Sequence, residues 1–327
     1  MAIHWLRRTI RQYLVTGGAG FIGSHVAEAL VGRGKRVRVL DNFFTGRREN
    51  LVSIKGDIEL IEGDIRDPDC CRKALEGVDG VVHLAALHEV ARSVESPMET
   101  HDVNVTGTLN LLLGARSSGV KRFVFASSSA VYGENPVLPR FETMATFPAS
   151  SPYAVTKQAG EHYCQMMATL YGLETVCLRF FNVYGPRQDA ASTYAAVIPK
   201  FISLLKTETA PTIYGDGTQS RDFTFIADCV AGVLAACETP GLSGDVFNIG
   251  TGKRTTVNHL CAELQALLQT KLSPRYGPRQ EGDLPHDHAD IRKAERLLGY
   301  RPQYDLLKGL KETIAHRQCP ELIDTPR

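Results

Sequence analysis

Two residues four positions apart, Tyr153 and Lys157, form the pattern in this chain that is best suited to chemistry, and three consecutive serines at 127–129 precede them. On a helix, this spacing places the phenol and the ammonium on one face, one turn apart. An ammonium about 4 Å from a phenolate gains roughly 4 kcal/mol at an effective dielectric near 20, which corresponds to about three pKa units. The pair therefore predicts a phenol that acts as a base near neutral pH.

A glycine-rich turn, Thr-Gly-Gly-Ala-Gly-Phe-Ile-Gly, covers residues 16–23. It follows an apolar run and opens a helical pattern, which is the strand, turn and helix context that a dinucleotide-binding fingerprint requires. Gly17 permits the tight turn, Gly20 lets the backbone approach a pyrophosphate, and Gly23 allows the helix to pack closely on the strand. We expect the phosphates to bind the free amides at the N-terminus of the helix.

A second apolar run, residues 37–40, ends at Asp41. This acid follows the glycines by about 20 residues, the distance at which a carboxylate binds the ribose hydroxyls of a dinucleotide. A negative charge at this place repels a 2′-phosphate. The expected cofactor is therefore NAD rather than NADP.

Composition excludes several classes of protein. Lys and Arg number 37 against 36 Asp and Glu, so we expect neither a nucleic-acid surface nor disorder. The eight cysteines follow no zinc or disulfide spacing, which favours reduced thiols in a cytoplasmic protein. No apolar stretch approaches the roughly 20 residues that span a bilayer, so we expect no membrane insertion. The basic segment 3–11 is interpreted as an extension without a role rather than a membrane contact.

Strand-like and helical patterns alternate through the first part of the chain. The apolar runs cover 13–15, 37–40, 58–61, 81–84, 123–125 and 175–178, and the clearest helical segments cover 103–117 and 153–171. This alternation predicts an α/β fold, a doubly wound parallel sheet of the Rossmann type. Ligands of such a sheet bind beyond the carboxyl ends of the strands, where the polar, glycine and small residues of this chain fall.

The regular alternation of strand and helix patterns ends after residue 187, where turns become frequent. We expect residues 1–182 to form a cofactor-binding domain, to which the chain returns at about 222–250, and residues 183–327 to form a smaller C-terminal substrate domain.

Several segments between residues 13 and 302 together carry a resemblance to a known family. They are Thr-Gly-Gly-Ala-Gly-Phe-Ile-Gly at 16–23, Gly-Asp-Ile-Arg-Asp at 63–67, His-Leu-Ala-Ala at 83–86, Asn-Val-Thr-Gly-Thr-Leu-Asn at 104–110, Ser-Ser-Ser-Ala-Val-Tyr-Gly at 127–133, Tyr-x-x-x-Lys at 153–157, Arg-Phe-Phe-Asn-Val-Tyr-Gly-Pro at 179–186, Arg-Asp-Phe at 221–223 and Ala-Asp-Ile-Arg-Lys-Ala at 289–294. The chain resembles the extended short-chain dehydrogenases/reductases, and within them the nucleotide-sugar 4-epimerases.

The resemblance implies which residues bind NAD. Asp64 and Ile65 would contact the adenine, Ala85 would line the path of the cofactor, and Phe180 would pack near the nicotinamide. The full implied set is Gly17, Gly20, Phe21, Ile22, Gly23, Asp41, Asn42, Asp64, Ile65, Leu84, Ala85, Ala86, Asn104, Ser127, Tyr153, Lys157 and Phe180.

The resemblance also implies the catalytic and substrate residues. Ser128 would be the catalytic hydroxyl, Tyr153 the base, and Lys157 its electrostatic and ribose-binding partner. The implied substrate residues are His88, Ser128, Ser129, Asn182, Ala196, Val197, Arg221, Arg279, Asp283 and Asp287. Among them, Asn182 and Arg221 would hold the nucleotide diphosphate.

For some of these residues, a structural or solvent-exposed role remains an alternative to a role in binding. Asn182 could instead cap a turn, and Arg221 could be a solvated charge. We interpret His83 as structural, whereas His88 could face either the sugar or solvent.

The implied reaction inverts C4 of the sugar through a 4-keto intermediate, with NAD recycled. Dehydratases and decarboxylases of the same family use that intermediate but need a further titratable side chain, whereas this chain has Ser129 and Ala130 after the catalytic hydroxyl. Epimerization is therefore favoured over these alternatives. A noncatalytic NAD-binding protein is disfavoured because Ser128, Tyr153 and Lys157 are all present.

Two positions bear on the substrate. Relatives usually carry an arginine three residues before the acid that matches Asp283, where this chain has Gln280 beside Arg279, and Asp287 stands where they place a wall of the sugar pocket. We expect UDP-N-acetylglucosamine and UDP-glucose as substrates, with UDP-glucuronate repelled by the charge of Asp287, and Asp287→Tyr to lose the N-acetylated sugar. By analogy with relatives, the protein would form a homodimer through 103–117 and 153–171.

Overall fold

The computed structural model describes residues 10–146, 148–189, 196–279 and 285–316. Their strands are β1 (Gln12–Thr16), β2 (Arg36–Asp41), β3 (Ile58–Glu62), β4 (Gly80–His83), β5 (Arg122–Ser128), β6 (Glu174–Phe180), β7 (Val183–Tyr184), β8 (Thr212–Tyr214), β9 (Ser220–Arg221), β10 (Thr224–Phe225), β11 (Asp245–Ile249), β12 (Thr255–Thr256) and β13 (Arg275–Gly277).

The helices of the same residues are α1 (Phe21–Gly32), α2 (Pro68–Leu75), α3 (Val90–Glu95), α4 (Pro97–His101), α5 (Gly107–Ser117), α6 (Pro152–Tyr171), α7 (Val197–Lys206), α8 (Ile226–Glu238), α9 (Val257–Leu268), α10 (Arg292–Leu298) and α11 (Leu306–His316). A π-helical turn, Asp102–Thr106, precedes α5, and 3₁₀ turns cover Arg48–Ile54 and Ser129–Tyr132.

Seven parallel strands form the central sheet, in the order β11, β6, β5, β4, β1, β2, β3. The order reverses between β4 and β1, and the crevice of a doubly wound sheet opens at such a switch point. The predicted Rossmann-type architecture is confirmed. Strand β11 brings the chain back to the sheet beside β6, after the segment that forms α7, β8, β9 and α8.

The central strands β1, β4, β5 and β6 are largely buried because helices cover both faces of the sheet. In β1, Leu14 packs into the core on one face, while Tyr13 and Val15 pack into the core on the other, as a side-chain period of two requires. Helices α1 and α8 cover the second face, and α2, α5 and α6 contribute to the first.

A smaller C-terminal part follows the sixth strand. Strand β9 pairs with β12 in antiparallel fashion and β8 pairs with β13 in parallel. Its helices α7 and α9 bury apolar side chains such as Phe201 and Leu264. The exact domain boundaries stay a prediction.

Two further observations concern only the described parts of the chain. None of their helices is long and apolar enough to cross a membrane, and they contain no cluster of three or more potential metal ligands. The seven cysteines within these ranges are free thiols. A cytoplasmic location stays a prediction.

Candidate active site

The glycine turn after β1 has no room for a side chain at Gly17 or Gly23. Gly17 has a φ of +66°, and a Cβ atom there would lie 2.7 Å from the backbone nitrogen of Ala85. A Cβ at Gly23 would lie 2.0 Å from the carbonyl oxygen of Gly17. Helix α1 begins after Gly20 without a side-chain cap, so the amides of its first turn are available to an anion. Phe21 and Ile22 belong to this turn.

Asp41 fastens the end of β2 to the glycine turn. Its Oδ2 accepts a hydrogen bond from the Ala19 amide at 2.8 Å, and its Oδ1 accepts one from the Phe43 amide at 2.8 Å. Burial raises the pKa of Asp41, and these two bonds act in the opposite direction. Each carboxylate oxygen has a second acceptor site, which fits the expected contact with ribose hydroxyls.

The expected adenine side lies at the end of β3. Asp64 accepts hydrogen bonds from the Arg66 side chain at 2.7 and 3.0 Å and from Asn42 Nδ2 at 2.9 Å. The Arg66 contact lowers the pKa of Asp64 to about 2. Ile65 is buried, and its carbonyl oxygen accepts a hydrogen bond from Asn110 at 3.1 Å.

Thr16 holds the turn after β4 against the glycine turn. Its hydroxyl lies 3.3 Å from the amide nitrogens of Leu84 and Ala85 and 2.7 Å from Nδ1 of His83. His83 is fully buried, and burial lowers the pKa of its imidazole to about 3. A neutral His83 therefore links β1 to α5 through Thr108, at 2.9 Å. Ala86 continues this turn.

Asn104 differs from its expected role in cofactor binding. Its Oδ1 accepts a hydrogen bond from the Leu87 amide at 2.8 Å, while Nδ2 donates to the Leu87 carbonyl at 2.9 Å and to Thr156 Oγ1 at 3.0 Å. Both amide hydrogens are thus used within the protein. The side chain positions the loop after β4 rather than presenting a donor to the cofactor.

The three expected catalytic side chains meet at the carboxyl end of β5. Ser128 is the last residue of this strand, while Tyr153 and Lys157 lie in the first two turns of α6. Helix α6 is defined locally by the Ser151 hydroxyl, which accepts a hydrogen bond from the Ala154 amide at 3.2 Å, and by Pro152 in its first turn.

The electrostatics of this group differ from the sequence expectation. Burial raises the pKa of Tyr153, and a hydrogen bond with Ser128 only partly opposes this effect. Lys157 Nζ lies 5.8 Å from the Tyr153 ring centre and donates to the Ala126 carbonyl at 2.7 Å. The rise in the pKa of Tyr153 is opposite in direction to the expected drop of about three pKa units, because burial of the phenol disfavours its charged form.

Three further expected residues are His88 in the loop after β4, Ser127 in β5 and Phe180 at the end of β6. His88 has an exposed side chain, yet the surrounding protein lowers its pKa, with Lys157 acting in the same direction and Glu89 opposing. An exposed side chain with a lowered pKa is typical of a residue that lines a cleft. Ser127 is buried and donates its hydroxyl hydrogen to Glu161, so that hydrogen is not available to the cofactor. Phe180, half-buried, ends β6.

Four of the expected substrate residues come from three parts of the chain. Helix α7 begins at Val197, after Ala196, without a side-chain cap, which leaves its first amides for an anion. Asn182 is exposed after β6, with a φ of 26°, and its carbonyl oxygen accepts a hydrogen bond from the Thr224 amide at 3.2 Å. Arg221 is half-buried on β9.

The structure corrects the expected electrostatic effect of Asp287. Asp287 is only 6 % exposed, and its Oδ1 accepts a hydrogen bond at 3.2 Å from Nε of Arg140, which is 1 % exposed. Burial raises the pKa of Asp287, while Arg140 and a hydrogen bond with Ser129 oppose this shift. Arg140 thus compensates the charge of Asp287, and the expected repulsion of a sugar carboxylate loses its basis.

Two further expected substrate residues precede Asp287. Arg279 is exposed after β13, and Asp283 lies outside the described residues.

Asp222 positions the strand that carries Arg221, a role that the sequence did not predict. It is fully buried and accepts hydrogen bonds from the amides of Thr251, Gly252 and Ala289 at 2.8, 2.9 and 3.2 Å. These contacts fasten the strand that carries Arg221 to the turn after β11 and to the segment that follows Asp287. The Gly-Thr-Gly turn at 250–252 was the available signal.

Comparison with known proteins agrees with this geometry. The model of the NAD dependent epimerase/dehydratase family matches residues 13–250. The UDP-glucose 4-epimerase of Mycolicibacterium smegmatis is 38% identical over 92% of this chain and 96% of the relative.

Two solved structures are similar over nearly the whole chain. The UDP-N-acetylglucosamine 4-epimerase of Methanobrevibacter ruminantium superposes with a TM-score of 0.90 and 38% identity, over 95% of this chain and 99% of that one. The UDP-glucuronic acid 4-epimerase of Bacillus cereus, solved with NAD and a fluorinated substrate analogue, has a TM-score of 0.87 and 33% identity, over 94% of this chain and 99% of that one. The chain therefore belongs to the NAD dependent epimerase/dehydratase family, and NAD is its cofactor.

Proposed function

We propose that this enzyme inverts C4 of a nucleotide sugar, UDP-N-acetylglucosamine or UDP-glucose, through a transient 4-keto intermediate. The observation that carries the proposal is the meeting of Ser128, Tyr153 and Lys157 at the carboxyl end of β5. This group can move one proton at one sugar hydroxyl, which is what oxidation and re-reduction of C4 require.

The glycine turn and Asp41 would hold NAD against this group. The close packing at Gly17 and Gly23 fixes the tight turn and the start of α1, and Gly20 between them lets the backbone approach a pyrophosphate. NAD bound there would supply the acceptor and donor of the C4 hydride, and the positive charge of its nicotinamide would favour a nearby phenolate. Because the reaction leaves no net redox change, we expect the cofactor to remain bound.

Tyr153 would take the proton from the 4-hydroxyl and later return it. Its raised pKa means that the phenol keeps its proton in the protein alone. The Ser128 hydroxyl, which acts to lower the pKa of the phenol, can bridge to the same sugar oxygen. Lys157, fixed by the Ala126 carbonyl at 2.7 Å, supplies a positive charge on the same helix face.

The alternative reactions have less support. Loss of water or carbon dioxide from the keto sugar calls for another titratable side chain after the catalytic hydroxyl, and this chain places Ser129 and Ala130 there. A noncatalytic NAD-binding protein would not need the complete group at Ser128, Tyr153 and Lys157.

The choice of neutral sugars does not rest on Asp287, and identity favours it only slightly. A relative named as a putative UDP-glucose 4-epimerase is 40% identical to this chain, whereas relatives named for UDP-glucose, UDP-N-acetylglucosamine and UDP-glucuronate are each 38% identical. The uncapped start of α7 and the guanidinium of Arg221 supply donors for a diphosphate.

We also propose that the protein is a homodimer that packs α5 and α6 of each copy together. Apolar side chains lie open on these helices: Leu113 is 45% exposed, Val155 52% and Leu170 65%. Exposed apolar side chains along neighbouring helices favour association.

The activity test is incubation of the purified protein with UDP-, dTDP- and GDP-sugars, followed by resolution of the products. We expect interconversion of the C4 epimers of UDP-N-acetylglucosamine and UDP-glucose. Tyr153→Phe should lower turnover by at least about a hundredfold, the scale of lost general acid/base chemistry. A dehydrated or decarboxylated product, or near-normal turnover of the variant, would contradict the proposal.

The cofactor test is the nucleotide released when the purified protein is denatured. We expect NAD, and we expect Asp41→Asn to retain less of it, because an amide cannot accept all the bonds that the carboxylate accepts. Asp79→Asn, which alters a carboxylate at the opposite end of the sheet, is the matched control. Release of NADP, or equal NAD content in both variants, would exclude the assigned role of Asp41.

The charge of Asp287 can be tested with Asp287→Asn, which keeps the volume. Because Arg140 compensates the carboxylate, we expect the ratio of kcat/KM for UDP-glucuronate and UDP-glucose to stay within about threefold. Unfolding in urea should show a loss of about 3–5 kcal/mol, since Arg140 loses its buried partner. Asp69→Asn, in an exposed pair, should cost less than about 1 kcal/mol. A tenfold gain for glucuronate would show that the charge reaches the sugar.

The assembly can be tested by light scattering on a sizing column. We expect about twice the chain mass of 35.9 kDa and a shift toward the monomer for Leu170→Glu, because a charge on that face opposes packing. Val52→Glu places a charge at a site that is 66% exposed on another part of the surface and should leave the mass unchanged. A monomeric wild-type protein would refute the dimer.

A further inference from the structure

A buried ionic cluster lies directly behind the catalytic group and has no part in the mechanism described so far. Glu161 is 4% exposed, and its carboxylate accepts hydrogen bonds from Arg179 Nε at 2.9 Å and Nη2 at 2.7 Å. Ser127 donates its hydroxyl hydrogen to the same carboxylate. Arg179 also stacks on the Tyr132 ring, 4.6 Å from its centre. The cluster joins α6, β5 and β6.

The cluster is in register with the catalytic residues. Ser127 pairs with Arg179 across β5 and β6, one position before the catalytic Ser128. Glu161 follows Lys157 by one helical turn. Consecutive turns of α6 therefore hold consecutive residues of β5: Lys157 binds the Ala126 carbonyl, and Glu161 binds the Ser127 hydroxyl.

A buried ion pair contributes little net stability, because desolvation offsets the attraction. What such a pair does provide is geometry, since two hydrogen bonds between planar groups fix distance and angle. Here the bonds fix the helix that carries Tyr153 on the strand that carries Ser128. A displacement of about 1 Å in such a group can cost about a hundredfold in rate.

We propose that Glu161 is a positioning residue of the active site. Its carboxylate fixes α6 on the ends of β5 and β6, and it places a negative charge one helical turn from the Lys157 ammonium. This inference rests on the proposed function for its effect on turnover.

The electrostatic surroundings of Lys157 support a role for that charge. Burial lowers the pKa of Lys157 to about 8, and Cys164 and Glu161 act in the opposite direction. From β4 and the loop after it, the buried His83 and the exposed His88 have imidazoles whose pKa the surrounding protein and Lys157 lower. From its own helix the ammonium meets Tyr153, whose pKa is raised. Cys164 and Glu161 are therefore the groups that favour the charged ammonium, and Glu161 is the carboxylate of the two.

The experiment separates charge from alignment with two variants of the holoenzyme. Glu161→Gln keeps the length of the side chain and removes the charge, whereas Glu161→Asp keeps the charge and shortens the reach. The readouts are kcat for the sugar epimers and the titration of Lys157, followed by NMR of protein with ¹³C-labelled lysine and assigned with Lys157→Arg. The NMR titration needs no turnover, so it remains informative if the proposed substrate fails.

We expect Glu161→Gln to lower the titration midpoint of Lys157 by about one pH unit. Glu161→Asp should leave that midpoint in place but lower kcat about tenfold with an unchanged KM, because only alignment is lost. Glu174→Gln is the matched control: it breaks the Arg122–Glu174 pair between the same strands at their opposite end and should change neither readout.

An unmoved Lys157 titration in Glu161→Gln, or full kcat in Glu161→Asp, would overturn the proposal. Should Glu161→Gln fail to fold, Ser127→Ala takes its place, because it removes one contact of the carboxylate and leaves the ion pair. A reduced kcat is expected for that variant, and full kcat in both Ser127→Ala and Glu161→Asp would overturn the proposal equally.

Discussion

The burial of one ammonium group constrains the whole active site. Lys157 is 5% exposed, and a buried cation requires hydrogen bonds and compensating charge. The Ala126 carbonyl supplies the hydrogen bond at 2.7 Å, and the carboxylate of Glu161 lies one turn away on the same helix. Because the hydrogen bond comes from β5 and the carboxylate is bound to β5 and β6, the helix cannot shift without unpairing charge in the interior.

This constraint explains why the chemistry sits where it does. Tyr153 lies on the helix that Lys157 anchors, and Ser128 ends the strand that receives the anchor. On the other side of β4, Thr16 ties the glycine turn to the loop that follows β4. The glycine turn, which would bind the dinucleotide, and the catalytic residues are thus held at the same edge of the sheet by short polar contacts. A single rigid edge can then present a cofactor and a proton-moving group to one sugar.

The sequence predicted the features that depend on local patterns. The glycine turn, the strand ends and the helix 153–171, found at Pro152–Tyr171, follow from spacing and periodicity. It did not predict contacts between distant residues, because one chain without relatives gives no pairing. Arg140 lies 147 positions before Asp287. The sequence therefore did not reveal that an arginine compensates the charge of the Asp287 carboxylate. The pKa of Tyr153 was misjudged because burial cannot be read from the spacing of two residues.

The central claim is that hydride leaves and returns to the same C4 carbon within one closed site. The most direct measurement is turnover of UDP-N-acetylglucosamine labelled with deuterium at C4, in ordinary water, with the products analysed by mass spectrometry and NMR. The account predicts a C4 epimer that keeps the deuterium at C4. Loss of the label to solvent, its transfer to another carbon, or a product that has lost water would contradict it.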